Sequence, residues 1–370
     1  MKSFMVKPTI RLYDHCDEFV EDFHISETDL LLTNARVYKH FFAEMNLPWT
    51  VLFRESYGSG EPTDDMAEAI YRDIPATCRR VFAIGGGSII DLAKLFILKD
   101  ASPFLDLFDG KKPFQKDREL IVLPTTCGTG SEVTNVAVLA LNSRGTKKGL
   151  AVDAMYPDCA VLIPELVSDL PFKFFATSSI DALIHAVEST LSPKGNVMTR
   201  MFGYRAIDMI LNGYKKIAAE GPDARFPLLG EFLTASCFAG IAFGNTGCAA
   251  VHAMSYPLGS TFHVPHGESN YAMFTGVMKN YMEIKQDGEI ATLNKYIADI
   301  LGCDPANVYE ELEKLLNQIL QKKALHEYGM TKEQIVEFTD SVIENQQRLL
   351  KNNFVFLDRD RLIKIYTELF

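Results

Sequence analysis

Short apolar segments alternate with amphipathic segments through the first half of the chain, and this alternation constrains the fold more than any other feature. The apolar segments are rich in β-branched residues and are predicted to be strands: Leu30 to Leu32, Trp49 to Ser56, Val81 to Ile84 and Leu120 to Leu123. Amphipathic segments such as Thr63 to Ile74 are predicted to be helices. Alternation of this kind is typical of a parallel sheet covered by helices, so an α/β domain is predicted.

A glycine-rich turn lies where one of these strands ends and a helix is predicted to begin. Gly85, Gly86 and Gly87 let backbone N–H groups approach a ligand without interference from a Cβ atom. Ser88 can cap the helix, whose N-terminus attracts phosphate. Because Ile90 occupies the place of the third glycine, the pattern differs from the GxGxxG fingerprint, and a plain tight turn explains it equally well.

The next predicted strand ends in a second turn of small polar residues, PTTCGTGSE at 124–132. Its hydroxyl groups belong to Thr125, Thr126, Thr129 and Ser131. In open α/β folds, ligands bind at the edge where the carboxyl ends of the parallel strands meet. Two such turns on neighbouring strands therefore favour a dinucleotide at that edge over two unrelated loops.

The pattern of predicted secondary structure changes near Glu165, because strand-like apolar runs largely disappear after it. Since 370 residues exceed the usual size of a single core, we predict two domains. The first is an α/β dinucleotide-binding domain over residues 1–165, and the second is an all-α metal- and substrate-binding domain over residues 166–370. Predicted helices of the second domain include Val197 to Ile217, Phe226 to Phe243 and Ser269 to Met282.

Composition excludes several classes of function. A formal net charge of −11 without a basic stripe argues against a nucleic-acid partner. Seven cysteines without CxxC spacing fit reduced thiols better than a disulfide framework or a thiolate zinc site. The N-terminal residues have no signal-like apolar region, and no apolar run is long enough to span a bilayer, so we expect a soluble cytoplasmic protein with no membrane partner.

The segment ATSSIDALIHAVES at 176–189 contains a polar pair in apolar surroundings. Asp181 and His185 are four residues apart, so a helix places them on one face, one turn apart. The segment has no Lys or Arg, which predicts a buried helix. A buried carboxylate needs a partner or a metal, and an Asp–His hydrogen bond within a core satisfies that need as well.

Histidines further along the chain supply additional ligands. His252 lies in a helix that Pro257 and Gly259 are predicted to end, and His266 lies in a Pro-Gly turn. His263 lies between them. One carboxylate with three neutral imidazoles suits Fe(II) or Zn(II) better than Mg(II) or Ca(II), which prefer oxygen ligands.

Five motifs resemble, in order, the signatures of the iron-containing (group III) alcohol dehydrogenase family: GGGSIIDLAK, PTTCGTGSEVT, DALIHAVES, HAMSYPLG and PHG. The resemblance implies a dehydroquinate synthase-like architecture, with an α/β nucleotide-binding domain followed by a helical domain. It also implies a homodimer that uses NAD(P) and iron, or alternatively zinc, to interconvert a primary alcohol and an aldehyde.

The resemblance also assigns roles to individual residues. It implies metal ligands at Asp181, His185, His252 and His266, pyrophosphate contacts at Gly85, Gly86, Gly87 and Ser88, and contacts around the nicotinamide half at Thr125, Thr126, Thr129 and Ser131. Similar proteins have a lysine near the cofactor where Lys147 and Lys148 stand here.

Two positions depart from the family pattern. Many members have an acidic residue that repels the 2′-phosphate of NADP where this chain has Asn34, so NAD is expected without exclusion of NADP. Members often have a further histidine beside the substrate where this chain has Tyr256, which is a poor proton acceptor at neutral pH. His263 is a hypothetical substitute in the proton relay, and a surface histidine is the alternative.

Within the family, the sequence is most similar to the 4-hydroxybutyrate dehydrogenases, which implies 4-hydroxybutyrate and succinic semialdehyde as substrates. An anionic substrate requires a Lys or Arg that the sequence does not identify. Dehydrogenases of neutral alcohols, of the butanol, 1,3-propanediol or lactaldehyde type, are the alternative. A dehydroquinate synthase-like lyase and a non-catalytic nucleotide-binding module are further alternatives, and the Asp-His-His-His pattern disfavours both.

Overall fold

The computed structural model describes residues 3–370, which form two compact units. One unit comprises Val6–Leu170, and the other comprises Pro171–Phe370 together with residues 3–5. The N-terminal residues join the helical unit because Asn245 exchanges two hydrogen bonds with the Met5 backbone, of 2.7 and 2.9 Å. The division therefore falls between Leu170 and Pro171, a few residues beyond Glu165.

The first unit contains a six-stranded, all-parallel sheet and a separate antiparallel hairpin. In chain order the strands are β1 (Thr9–Leu12), β2 (Asp29–Thr33), β3 (Thr50–Phe53), β4 (Arg80–Gly85), β5 (Glu119–Pro124), β6 (Val136–Leu141), β7 (Thr146–Ala151) and β8 (Cys159–Leu162). The order across the sheet is β1-β8-β5-β4-β2-β3, and β6 pairs with β7.

Helices cover both faces of this sheet. They are α1 (Cys16–Phe23), α2 (Ala35–Phe41), α3 (Asp64–Asp73), α4 (Gly87–Phe96), α5 (Phe104–Phe108) and α6 (Glu165–Ser168). Leu30 and Leu32 of β2 join one hydrophobic cluster, whereas Leu31 joins another, because successive side chains of a strand point to opposite faces. The predicted α/β domain with a parallel sheet is confirmed.

Four strands of this unit, β1, β6, β7 and β8, were not predicted. The strand β1 lies at the edge of the sheet and is largely exposed, so it lacks the apolar run by which the buried strands are recognised. The strand β7 is also mostly exposed and contains Lys147 and Lys148, which a β pattern would not favour.

The second unit is helical throughout Pro171–Phe370, with no strand in that range. Its helices are α7 (Phe172–Leu191), α8 (Val197–Glu220), α9 (Leu229–Thr246), α10 (Ala250–Phe262), α11 (His266–Ile284), α12 (Glu289–Leu301), α13 (Val308–Ile319), α14 (Lys332–Asn345), α15 (Gln347–Leu350) and α16 (Arg359–Leu369). Almost every residue of α7 from Phe175 onward is buried, as its lack of charge predicts. The predicted helical C-terminal part is confirmed.

Two predicted boundaries in this unit are wrong. The helix α10 continues through Pro257 to Phe262, because the first half of the helix is packed in the core and tertiary packing outweighs the missing N–H group. His266 does not lie in a turn but is the first residue of α11. Pro265 is the N-cap residue, directly before the helix.

One helical segment of residues 3–370, Pro222–Thr246, is long and apolar enough to cross a membrane by length and composition alone. The expectation that no such segment exists is therefore wrong, since a 3₁₀ turn continues directly into α9 and lengthens it. About half of the apolar window (56%) is buried inside the protein, and core helices of soluble proteins pass the same test.

Candidate metal centre and nucleotide site

The helix α7 holds the first two candidate metal ligands in the core of the helical unit. Asp181 and His185 are both buried, and Nδ1 of His185 lies 3.9 Å from Oδ2 of Asp181. The His185 ring stacks on Phe243 on one side and on His252 on the other, with ring centroids 4.2 and 4.5 Å apart. The predicted one-face arrangement of the pair is therefore present.

The helices α10 and α11 bring His252 and His266 to the same carboxylate. Nε2 of His252 lies 3.5 Å from Oδ1 of Asp181, and Nε2 of His266 lies 3.9 Å from the same oxygen. One donor atom from each of these three residues lies within 4.8 Å of the other two. His185 is adjacent to this triad through its contacts with Asp181 and His252.

Gly267 explains how α11 comes close enough to α7 for His266 to meet Asp181. A Cβ atom at Gly267 would lie 2.0 Å from the carbonyl oxygen of Thr177 and 3.3 Å from Cβ of Asp181. No side chain fits in that space, so the glycine that follows His266 is required by the approach of the two helices.

Glu188 orients His252, and it is a residue that the sequence analysis missed. Its carboxylate accepts hydrogen bonds from the backbone N–H groups of Ala249 and Val251, at 2.9 and 2.7 Å. It also lies 2.7 Å from Nδ1 of His252, so that nitrogen donates and Nε2 is left as the acceptor. Glu188 stands seven residues after Asp181 in the same apolar helix, and this spacing is the signal that could have revealed it.

The electrostatics of this cluster favour a negative Asp181 among positive partners. Burial on its own would raise the pKa of Asp181, but His185, His266 and His252 hold it well below its usual range. Burial would likewise lower the pKa of His252, but Cys248 and Glu188 raise it well above the ordinary value. The carboxylate is therefore kept ionised, which is the state in which it can ligate a metal.

Cys248 is a second residue that the sequence analysis missed. Its thiol and the ring nitrogens of His185 and His252 form another group whose donor atoms lie within 4.8 Å of one another. Burial would raise the pKa of Cys248, but His252 and His185 lower it to about 7. Cys248 lies in the connection between α9 and α10, outside any helix, so helix periodicity does not reveal it.

The donor set fits a divalent transition metal. Nε2 of His252 is buried and has no hydrogen-bond partner among residues 3–370, although its ring is fixed by Glu188. A buried nitrogen without a partner is costly, and a metal ion would satisfy it. In many metal sites a carboxylate and several imidazoles bind the ion, and a second carboxylate accepts a hydrogen bond from the imidazole nitrogen that does not bind it.

The two predicted proton-relay residues lie in different environments. Tyr256 follows His252 by one turn of α10, and its ring centroid lies 6.1 Å from that of His266. Burial raises the pKa of Tyr256 to about 12, so the phenol keeps its proton at neutral pH. His263 is exposed in the left-handed residue that ends α10 (φ 54°), and it shares no hydrogen bond or ion pair with the four candidate ligands in the part of the chain that the structure describes.

The two small-residue turns meet in the first unit, since β4 and β5 are parallel neighbours with Gly85 opposite Pro124. A Cβ atom at Gly86 would lie 3.4 Å from Cγ2 of Thr126, and one at Gly87 would lie 2.9 Å from Cγ2 of Thr129. Thr126 and Thr129 are partly exposed beside the first turn of α4. Backbone N–H groups and hydroxyls thus converge at a helix N-terminus, an arrangement that can hold phosphate.

The serines of the two turns do not have the predicted positions. Gly86, not Ser88, is the N-cap residue of α4, because the helix begins at Gly87, so Ser88 lies within the first turn. The Ser131 hydroxyl donates to Asp91 at 2.7 Å and accepts from Lys94 at 2.6 Å. Ser131 is buried, so its side chain fastens the turn to α4.

Lys94 was also missed, although it is completely buried. Its Nζ donates to Ser131, to Oγ1 of Thr134 at 3.2 Å and to the carbonyl of Val136 at 2.7 Å. Burial lowers the pKa of Lys94 to about 8, although Asp91 opposes the shift. Nothing in the sequence distinguishes this lysine from a surface lysine of an amphipathic helix.

The last two predicted cofactor residues already have protein partners. Asn34 follows β2 and caps α2, because its side-chain oxygen accepts from the Val37 N–H at 2.9 Å. Lys147 lies on β7, with Nζ 2.8 Å from a carboxylate oxygen of Glu61.

Comparisons with known proteins agree with this arrangement. Residues 15–164 match the model of iron-containing alcohol dehydrogenases, and residues 175–370 match the C-terminal model of the Fe-containing alcohol dehydrogenase family. The chain is 48% identical to 4-hydroxybutyrate dehydrogenase of Clostridium kluyveri over all of both chains. It is 33% identical to long-chain-alcohol dehydrogenase 1 of Geobacillus thermodenitrificans, covering 76% of this chain and 72% of that protein.

Among solved structures, sulfoacetaldehyde reductase of Bifidobacterium kashiwanohense in complex with NAD+ superposes with a TM-score of 0.86. The two are 26% identical, and the match covers all of this chain and 98% of the other. Together with the two family models, which span nearly the whole sequence, this establishes that the chain belongs to the iron-containing alcohol dehydrogenase family.

Proposed function

We propose that this alcohol dehydrogenase interconverts 4-hydroxybutyrate and succinic semialdehyde with NAD, using a metal held by Asp181, His185, His252 and His266. The observation that carries the proposal is the convergence of Asp181, His252 and His266 around a buried imidazole nitrogen without a partner. The choice of substrate is supported by the full-length similarity to the Clostridium kluyveri enzyme.

Fe(II) is the proposed metal, and Zn(II) is the alternative, because both accept carboxylate and imidazole ligands. When bound, the metal polarises the oxygen of the alcohol or aldehyde, and the nicotinamide accepts or supplies the hydride. The chain contributes the geometry of the site. Glu188 fixes the tautomer of His252, and Gly267 allows His266 to approach Asp181.

The proposed cofactor is NAD, with NADP not excluded. Gly85, Gly86 and Gly87, with Ser88 in the first turn of α4, are proposed to bind the pyrophosphate. Thr125, Thr126 and Thr129 are proposed to contact the nicotinamide half of the cofactor. Ser131 is proposed to hold their turn in place through its hydrogen bonds with α4. Asn34 and Lys147 are proposed to lie at the cofactor, and since Asn34 carries no charge it does not repel a 2′-phosphate.

Tyr256 is proposed to face the substrate as a hydrogen-bond donor, because its raised pKa keeps the phenol protonated. His263 is exposed, so it is proposed as the outer end of a proton relay. The hypothesis about His263 would be abandoned if His263→Asn left the pH profile of alcohol oxidation unchanged. The enzyme is further proposed to be a cytoplasmic homodimer.

A dehydrogenase of neutral alcohols is the second candidate, and the similarity to a long-chain-alcohol dehydrogenase favours it. The two candidates differ in the charge of the substrate. Purified enzyme of measured metal content is assayed with succinic semialdehyde and with butyraldehyde, each with NADH and with NADPH. We expect the highest kcat/KM for succinic semialdehyde with NADH, and a preference for butyraldehyde would contradict the proposal.

A further inference from the structure

The proposed substrate carries a carboxylate, and a carboxylate in a partly buried site requires a cation. The following inference rests on the proposed function. In an extended 4-hydroxybutyrate the carboxylate lies about 6 Å from the hydroxyl, since C–C bonds are about 1.5 Å long. The cation is therefore expected about one side chain away from the candidate metal ligands, within the helical unit.

The short helix α15 packs against α10, the helix that carries His252 and Tyr256. Asn352 fastens it there, because its Nδ2 donates to the Cys248 carbonyl at 2.8 Å. The two segments are so close that a Cβ atom at Gly247 would lie 2.4 Å from Nδ2 of Asn352. Residues 347–352 are thus held beside the first turn of α10, next to the candidate metal ligands.

Arg348 lies on this α15 turn and has no counterion among the residues that the structure describes. Its backbone carbonyl accepts from Asn352 at 3.3 Å, which ties the residue to the fastened turn. Its guanidinium is exposed, and no carboxylate of residues 3–370 lies within ion-pair distance of it. The segment is fastened to Cys248, whose thiol lies within 4.8 Å of ring nitrogens of His185 and His252, so Arg348 belongs to a turn that adjoins the candidate metal ligands.

Two other cations of the unit, Lys173 on α7 and Arg225 just before α9, are already engaged. Nζ of Lys173 lies 3.7 Å from Glu268. The guanidinium of Arg225 is buried and packs over the rings of Phe172 and Phe226, at 5.6 and 4.2 Å from their centroids. Arg348, by contrast, is exposed and has no ion pair among residues 3–370, so it can accept a new anion.

We propose that Arg348 binds the carboxylate of the substrate and so selects anionic over neutral aldehydes. Asn352 ties the turn that carries Arg348 to Cys248, next to His252 and His185, so a carboxylate at Arg348 lies on the same side of α10 as these candidate ligands. A guanidinium matches a carboxylate through two parallel N–H···O bonds, which gives orientation as well as affinity. With its carboxylate held by Arg348, the alcohol end of the four-carbon chain would extend toward the candidate metal ligands.

The test compares Arg348→Gln with wild type on succinic semialdehyde and on butyraldehyde, the neutral aldehyde of the same length. Loss of a charged hydrogen bond is expected to lower the ratio of the two kcat/KM values by about 10- to 100-fold, mainly through the KM of succinic semialdehyde. Arg348→Lys should recover part of the loss. Lys351→Gln, an exposed lysine in the same segment, is the matched control and should leave the ratio unchanged.

A binding measurement gives a second readout that does not depend on turnover. 4-Hydroxybutyrate and 1-butanol are each titrated calorimetrically into the enzyme with NADH, with which neither reacts. Arg348→Gln should raise the dissociation constant of 4-hydroxybutyrate by the same factor and leave that of 1-butanol unchanged. If the wild type prefers succinic semialdehyde and R348Q keeps that preference, the role of Arg348 is refuted but the proposed function is not. If the wild type prefers butyraldehyde, both the role of Arg348 and the proposed function are refuted.

Discussion

Each unit of the chain contains a cluster of charged side chains within its sequence motifs, but the two clusters differ in how many of their polar atoms form hydrogen bonds with the protein. In the α/β unit the closed cluster consists of Asp91, Lys94 and Ser131, and all three protons of the Lys94 ammonium are donated to protein oxygens. In the helical unit the open cluster consists of Asp181, His185, His252 and His266. There, Nε2 of His252 has no hydrogen-bond partner among residues 3–370.

The difference teaches that burial of charge alone does not mark a ligand site. A buried ion pair that is fully hydrogen-bonded serves to hold elements together, here the turn after β5 against α4. A cluster that leaves a buried nitrogen such as Nε2 of His252 without a hydrogen bond is stable only with an additional partner. We therefore assign a structural role to the closed cluster and a ligand-binding role to the open one.

The largest effect is expected from Asp181→Asn in the open cluster. Removing the charge should reduce the bound metal to a small fraction and lower turnover by about 1000-fold or more, since a metal Lewis acid supplies several kcal/mol of transition-state stabilisation. Metal analysis measures the bound metal, and NADH-dependent aldehyde reduction measures turnover. Asp299→Asn, at an exposed position of α12, is the control. Full metal content in Asp181→Asn would show that the open cluster, like the closed one, has only a structural role.

Lys94→Met tests the closed cluster and should act on stability alone. Leaving Asp91 without its cation is expected to lower the free energy of unfolding by about 3–5 kcal/mol, with metal content per folded chain unchanged. Denaturant unfolding gives the first quantity, and Lys99→Met at an exposed site after α4 is the control. A loss of metal without loss of stability would reverse the roles given to the two clusters.

The same substitution predicts a pH dependence. The pKa of Lys94 is lowered to about 8 in the folded protein, against 10.5 when it is exposed, so the unfolded chain binds more protons between these values. The stability of wild type relative to Lys94→Met should therefore rise as the pH increases from 8 to 10.5. If this difference in stability stays constant or falls over the range, burial does not lower the pKa of Lys94.

A smaller effect is expected from Glu188→Gln, which alters the orientation of His252 without removing a candidate ligand. Partners of this kind typically contribute 10- to 100-fold to metal affinity, so the metal dissociation constant should rise by about that factor. Competition with a chelator measures it, and Glu188→Asp should restore part of the affinity. If only thermal stability changed while metal affinity stayed constant, Glu188 would belong with the structural residues of the closed cluster.

Local patterns in the sequence were sufficient to predict the parallel sheet, the helical second half and the two turns at one sheet edge. The Asp181–His185 pair was predictable because helix periodicity fixes the relation of residues four apart. Glu188 was predictable by the same rule, since it stands seven residues after Asp181 in the same helix, whereas Cys248 lies outside α10 and was not.

Other features depend on tertiary packing and could not be predicted. The continuation of α10 through Pro257 depends on the helices around it, whereas proline on its own favours termination. Burial of Lys94 depends on the loop that covers it, and the attachment of residues 347–352 to Cys248 depends on a contact between segments about a hundred residues apart. Interactions over such sequence distances leave no local periodicity to read.

Removal and restoration of the metal tests the central claim most directly. The enzyme is treated with a chelator, its metal content is measured, and NADH-dependent reduction of succinic semialdehyde is followed before and after addition of Fe(II) or Zn(II). The open cluster predicts one metal ion per chain, loss of activity in proportion to metal removed, and recovery on reloading that Asp181→Asn does not show. Full activity in metal-free protein would contradict the account.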